Sequence, residues 1–173
     1  MKRLKRYLIS ALVLGLLSLL AYGVWYQTEI IVPERFIHGF AYRLLKDDSA
    51  EIPFDKTRKM CHKMLRYRRW DPNTALQLLV VVGNNESIPY LIRELKWVEA
   101  DENGGFSFAT MYCSWALEKT SGMNLGHRYE PWEKWWREEG SRLSSDEINT
   151  RASNHWERVL FEHQIKTQQK GTP

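Results

Sequence analysis

Leu79-Val80-Val81-Val82-Gly83-Asn84-Asn85-Glu86-Ser87-Ile88-Pro89-Tyr90-Leu91-Ile92-Arg93-Glu94-Leu95 reads as a helix, a turn and a second helix. Ala75 to Val82 is apolar nearly all round, which suits a buried helix. Gly83-Asn84-Asn85 stops it, because these residues favour turns over helix interiors. Ser87 restarts a helix in which Ile88, Leu91, Ile92, Leu95 and Val98 fall on one face, the i, i+3, i+4, i+7 spacing of an amphipathic helix. No stretch of the chain alternates apolar and polar with the period of two that a strand needs. The pattern predicts an all-α protein.

The same grammar extends in both directions. Upstream, Asp71-Pro72 predicts an N-cap followed by proline at the first helical position. Before it, residues 54–69 form a helix with Met60, Cys61, Met64, Leu65 and Tyr67 on one arc. Lys56, Arg58, Lys59, Lys63, Arg66 and Arg69 fill most of the other. Between Pro33 and Pro53, Phe36, Phe40, Leu44 and Leu45 recur at helical spacing, and Asp47-Asp48-Ser49 ends that short helix. Downstream, Asp101-Glu102-Asn103-Gly104-Gly105 is a loop by composition. A helix over 107–119 follows, with Phe108, Ala109, Tyr112, Cys113, Ala116 and Leu117 expected inward. After a loop at 122–126, Pro131 opens a helix carrying Trp132, Trp135 and Trp136. Ser144-Ser145-Asp146-Glu147 then caps a last helix with Ile148, Ala152, Trp156, Val159, Leu160 and His163 as its stripe.

The 79–95 stretch resembles a HEAT or armadillo-like repeat, in which a helix ends at a Gly-Asn turn and the next begins hydrophobic-Pro-x-Leu-x-x-x-Leu. Ala116-Leu117-Glu118-Lys119-Thr120-Ser121-Gly122-Met123-Asn124-Leu125-Gly126, followed by Trp132 and Trp135-Trp136, is similar to the closing segment of many bacterial HEAT-repeat proteins. The resemblance covers about residues 71–140 and leaves room for two or three helix pairs. It implies a short α-solenoid with a surface for protein partners, and it implies no reaction. The Trp-rich helix would cap one end of the stack.

The head of the chain has a different character. Lys2, Arg3, Lys5 and Arg6 carry the whole formal net charge of +4, so the remainder is neutral and no nucleic-acid partner is expected. From Tyr7 to Tyr26 no charged residue intervenes, and about 20 apolar residues suffice to cross a bilayer core as a helix. Tyr22, Trp25 and Tyr26 form an aromatic belt at the far end. The basic cluster predicts a cytoplasmic N-terminus, with everything after Tyr26 exported across the cell (inner) membrane to the periplasmic or extracellular side. A cleaved secretory signal is the competing reading, since Ala21-x-Gly23 satisfies the small-residue rule for a cut. Cys61 and Cys113 are compatible with pairing after export, or with two buried thiols.

The expected organisation is therefore a membrane segment (1–27), a juxtamembrane helix and linker (28–53), a HEAT-like helical domain (54–143), an amphipathic helix (144–166) and a flexible tail (167–173). Candidate binding residues are Lys56, Lys59, Lys63 and Arg66, whose cations suit anionic lipid or an acidic partner, each Lys or Arg near a charged surface contributing about 1 kcal/mol. The alternative is a solvated helix face. The Trp132 group is expected to be core, not a ligand platform. His155 and His163 lack the i, i+4 spacing that aims two imidazoles at one metal, and Asn103-Gly104-Gly105 has no Lys-Ser/Thr after it to make a phosphate loop. No catalytic residue, metal or cofactor is assigned. The expected role is a membrane-anchored, non-enzymatic scaffold for a protein partner; the alternative is an exported enzyme, or its regulatory subunit, with a pocket between helices.

Overall fold

The structure, a computed structural model, describes the backbone of residues 2–46, 53–68, 72–101 and 107–170, and the side chains within 10–42, 53–68, 72–99 and 107–159. It is all-α, with several helices packed together behind an apolar N-terminal one. The helices are α1 (Lys2–Tyr26), α2 (Val32–Lys46), α3 (Phe54–Tyr67), α4 (Asn73–Val82), α5 (Ile88–Asp101), α6 (Phe108–Ser121), α7 (Tyr129–Glu138) and α8 (Ser145–Lys170). Expectations for the side chains of Tyr7, Leu44, Leu45, Leu160 and His163, and for Asp47-Asp48-Ser49, Arg69, Asp71, Asn103-Gly104-Gly105 and the last three residues, lie outside what is described.

The first departure from the sequence reading is at Pro33. A separate short helix after the membrane segment was expected there. Instead α1 runs into α2 through a π-helical turn, Gln27–Ile31, and Pro33 sits in the first turn of α2. Proline has no N–H to donate, and its ring crowds the carbonyl four residues back. Widening the helix by one residue per turn just before it accommodates both, so the axis continues without a break. Ser10–Tyr42 within this rod is long enough to cross a membrane and contains an 18-residue stretch with a mean hydropathy of 1.4. Leu12, Leu14, Leu19 and Val24 are all more than 60% exposed, so none of the described residues covers them.

α3 lies antiparallel to this rod in a constant register. Lys56 sits 4.8 Å above the Phe36 ring, Lys63 Nζ is 2.5 Å from Glu29 Oε1, and the Tyr67 and Trp25 rings meet edge-to-face at 5.5 Å. From pair to pair the residue number on α3 rises as that on the rod falls, as adjacent antiparallel helices require. The helical domain is thus seated on the rod from its first helix. Ile37 and Phe40 of α2 complete that seat and belong to the main core.

The core continues through α4, α5 and α6, where Leu76, Leu79, Leu91, Leu95, Cys113 and Leu117 are essentially inaccessible. α4 is the buried central helix its composition foretold. Its start differs: Pro72 occupies the N-cap and Asn73 is the first helical residue. α3 ends at Tyr67, two residues short of expectation, because Arg68 turns left-handed (φ 41°) and donates its N–H to Met64 O. The Asn84 turn is closed by a reciprocal capping box, with Asn84 Oδ1 accepting from Glu86 N–H and the Asn84 N–H donating to Ser87 Oγ.

α7 covers one end of this core. Trp132 is fully buried, and its Nε1–H donates to Gly126 O at 2.8 Å. Trp135 is buried beside it with the rings edge-to-face, and Trp136 packs against the same cluster. α8 crosses α6 at Gly122. That residue is left-handed (φ 69°), and a Cβ there would lie 2.5 Å from Arg151 O, so only glycine permits both the turn and the crossing.

Candidate functional site

The basic face of α3 does not act as one surface. Lys63 is held by Glu29 and reaches Thr28 O at 3.5 Å, and Lys56 lies over Phe36, so both serve the seat on the rod. Arg58 pairs with Asp55 and donates to Val82 O at 3.1 Å, closing the last turn of α4. Lys59 is exposed. Arg66 is exposed as well and donates to Tyr90 Oη at 2.9 Å. Of the four candidate residues, Lys56, Lys59 and Arg66 are exposed, Lys56 over the Phe36 ring and Arg66 on Tyr90, while Lys63 is half-buried in its pair with Glu29.

Behind that face sits a histidine the sequence reading passed over. His62 is buried, stacks on Tyr90 with ring centroids 4.3 Å apart, and places Nε2 2.8 Å from Ser87 Oγ. Burial lowers its pKa to about 4, with the Arg58 and Arg66 guanidinium groups adding to the effect. It is a neutral structural residue at ordinary pH. The thiols behave similarly. Cys61 and Cys113 are both free and buried; burial pushes the Cys61 thiol up to about 12 and the Cys113 thiol well above its ordinary value. They are small core side chains with no thiolate character.

Glu94 is almost completely buried on α5 and is paired by Arg68 Nε at 3.1 Å, whose guanidinium also covers the Trp97 ring at 5.2 Å. A buried carboxylate needs such a partner, which explains why the chain accepts a left-handed arginine at that corner.

His155, weighed in the sequence as a possible ligand, is buried between α8 and α6. Its Nε2 lies 3.0 Å from Glu118 Oε1, and its Nδ1 lies 3.4 Å from an Arg158 guanidinium nitrogen. A guanidinium can only donate, so Nδ1 accepts and Nε2–H donates to Glu118. Both ring nitrogens are therefore occupied, Nε2 in tying α8 to Glu118 of α6 and Nδ1 by Arg158 one turn along α8 itself. A groove of about 610 Å³ opens beside it along α8, lined by Asp146, Glu147, Arg151 and Arg158 among others. Among the described residues, no group of three or more His, Cys, Asp or Glu side chains could hold a metal ion.

A second groove, of about 350 Å³, has a different chemistry. Its walls are Val80, Val81, Trp115 and Trp156, with Glu118 and Lys119 at the edge. The Lys119 ammonium donates to Val80 O at 2.6 Å and to Val81 O at 3.1 Å, satisfying carbonyls that the end of α4 leaves open. Burial lowers its pKa from the ordinary lysine range. With those polar groups paired, what remains exposed is apolar: Val81 is 47% and Trp115 is 49% accessible. Tyr112 meets Trp115 edge-on and extends the surface along α6.

This surface was missed because α6 is apolar on both sides. The sequence reading placed Phe108 inward, yet it is 72% exposed, while Cys113, Ala116 and Leu117 take the core positions. Helical spacing groups residues into stripes, but it does not say which of two apolar stripes meets the neighbouring helices. The signal that was available is Trp115 itself, a large aromatic outside the inward stripe.

No protein-family model, no curated protein and no solved structure matches this chain.

Proposed function

We propose that the chain is a membrane-anchored, non-enzymatic helical scaffold, of the short HEAT-like kind its 79–95 and 116–136 stretches resemble, that binds a protein partner on the exported side. The observation that carries this reading is the α4–α6–α8 groove. An exposed tryptophan, Trp115, beside the half-buried Trp156 and an apolar floor is the kind of feature on which protein interfaces concentrate their binding energy. A groove of about 350 Å³ suits the apolar side chains of one partner helix laid across α6. Orientation follows from the basic cluster ahead of the apolar run, which favours a cytoplasmic N-terminus. The enzyme reading has less support, because the one buried histidine beside the larger groove has both nitrogens committed to Glu118 and Arg158.

The test uses the intact chain in its own membranes, with a photo-reactive amino acid at position 115 and, as control, at Glu86. A discrete adduct from position 115 alone is expected. In the purified pair, Trp115→Ala is expected to weaken binding by about 2 kcal/mol, on the order of thirtyfold. Adducts at background level from position 115, equal to those from position 86, would overturn the reading, as would an export-dependent reporter that stays inactive when fused after Pro173.

A further inference from the structure

Besides Phe54 at the start of α3 and the aromatics of the rod itself, two large aromatics are exposed outside that groove, Trp97 (48% accessible) and Phe108 (72%). Their position follows from the helix register. α3 runs back toward the far end of the apolar rod, bringing Tyr67 onto Trp25 of the aromatic belt. α5 runs in the same direction as α3: Ser87 meets His62, Tyr90 meets Arg66, and Glu94 meets Arg68. Trp97 lies three residues beyond Glu94, which carries it about 4.5 Å further along the helix, past the level of Trp25. α6 packs back against α5, so its first residue, Phe108, starts from this same end. Arg68 covers the Trp97 ring at 5.2 Å, and Arg66 and Lys96 are exposed on the same stretch of α3 and α5. Glu94 and Glu99 at this level are already taken by Arg68 and Arg128, at 3.1 and 3.2 Å, while Glu130 is exposed beside them.

The geometry points to a second membrane contact: the α3–α5–α6 end of the domain rests on the bilayer surface, with Trp97 and Phe108 inserted at the headgroup level and the exposed cations Arg66 and Lys96 meeting anionic phospholipid phosphates. This rests on residues 7–26 crossing the bilayer. Tryptophan and phenylalanine gain most at that depth, where an apolar ring meets an apolar boundary and polar atoms stay hydrated. Basic residues beside them add attraction to anionic lipid. The occupant is the membrane and not a protein, because the surface continues directly from the end of the apolar rod. The domain would then be clamped at two points, the rod and this end face, and the Trp115 groove would stand clear of the lipid.

The test reconstitutes the full chain in phosphatidylcholine–phosphatidylglycerol vesicles, with a fluorophore on a single introduced cysteine. The two native thiols are buried and take no label. Trp97→Cys and Phe108→Cys probes are expected to be quenched by headgroup-labelled nitroxide lipid several-fold more than a Glu86→Cys probe, and less so in phosphatidylcholine alone. A Tyr22→Cys probe reports the rod itself. Quenching at position 22 with none at 97 or 108 would refute the docking while leaving the span intact. No quenching at 22 would remove the span and the docking together. Protection of 97 and 108 from aqueous iodide without lipid quenching would mean a protein covers them, and would also refute the proposal.

Discussion

Trp132→Ala is expected to destabilise the full-length protein in micelles by about 3–5 kcal/mol, read as a lowered urea midpoint in near-ultraviolet circular dichroism. Trp132 has no accessible surface, so its removal leaves a large cavity between α7, α5 and the 122–126 turn. It also orphans the Gly126 carbonyl, which accepts the indole N–H at 2.8 Å, and removes the edge-to-face contact with Trp135. Tyr129 N–H and Arg128 hold Glu99 of α5 from the same helix start, at 2.8 and 3.2 Å. These contacts limit how far α7 can collapse into the space. Trp136→Ala, at a half-buried position, serves as the comparison and should cost clearly less. A loss below about 1 kcal/mol for Trp132→Ala would mean that α7 is not the closing element of the core.

Acidification is the second large effect. His62 is neutral in the folded protein, with its pKa lowered from 6.5 to about 4, while in the unfolded chain it recovers its ordinary value. Below about pH 6.5 the unfolded state therefore takes up a proton that the folded state refuses. Stability is unaffected by this group above that pH, and it falls progressively as the pH drops toward about 4. The shift corresponds to at most about 3 kcal/mol, which partial access of solvent to the ring reduces to about 1–2 kcal/mol. The measurement is the urea midpoint at pH 7 against pH 4.5, for the natural chain and for His62→Gln. An amide can still donate to Ser87 Oγ but carries no charge, so the variant should lose less stability over that interval. Equal losses in the two proteins would place the acid sensitivity elsewhere.

The all-α class was legible because helical spacing dominates every segment, and the turn announced itself through Gly83-Asn84-Asn85, although its capping box did not. The burial of Trp132 and Trp135 was equally plain, since large aromatics at i, i+3 on a short helix have little else to do. Three features were hidden for physical reasons. The rod passes through Pro33 because a π-helical turn absorbs the missing hydrogen bond, and no local sequence preference announces such a turn. The cationic face of α3 divided into internal and external members according to partners more than twenty residues away: Glu29 for Lys63, and Tyr90 for Arg66. The apolar groove arose where α4, α6 and α8 meet, and Val81, Trp115 and Trp156 are brought together only by the tertiary arrangement. Spacing within one helix carries no information about such a meeting point.

For the scaffold role proposed above, what matters is how the domain is seated on the rod. Among the described residues, the domain is seated on the continuation of the apolar helix through Phe36–Lys56, Glu29–Lys63 and Trp25–Tyr67. Individually each such contact is worth little, about 1 kcal/mol or less when partly exposed. Together with Ile37 and Phe40 in the core they fix one orientation. A partner bound at the Trp115 groove would then be held at a set height and angle above the bilayer.

The most direct measurement is the distance distribution between spin labels at Leu20 in the apolar helix and Gln77 in the domain, recorded by pulsed electron resonance in nanodiscs, with Gln77–Glu86 as the intradomain reference. Rigid seating predicts a single distribution as narrow as the reference pair. A broad or multi-peaked distribution for Leu20–Gln77, beside a narrow one for Gln77–Glu86, would show a folded domain swinging on its anchor and would contradict it.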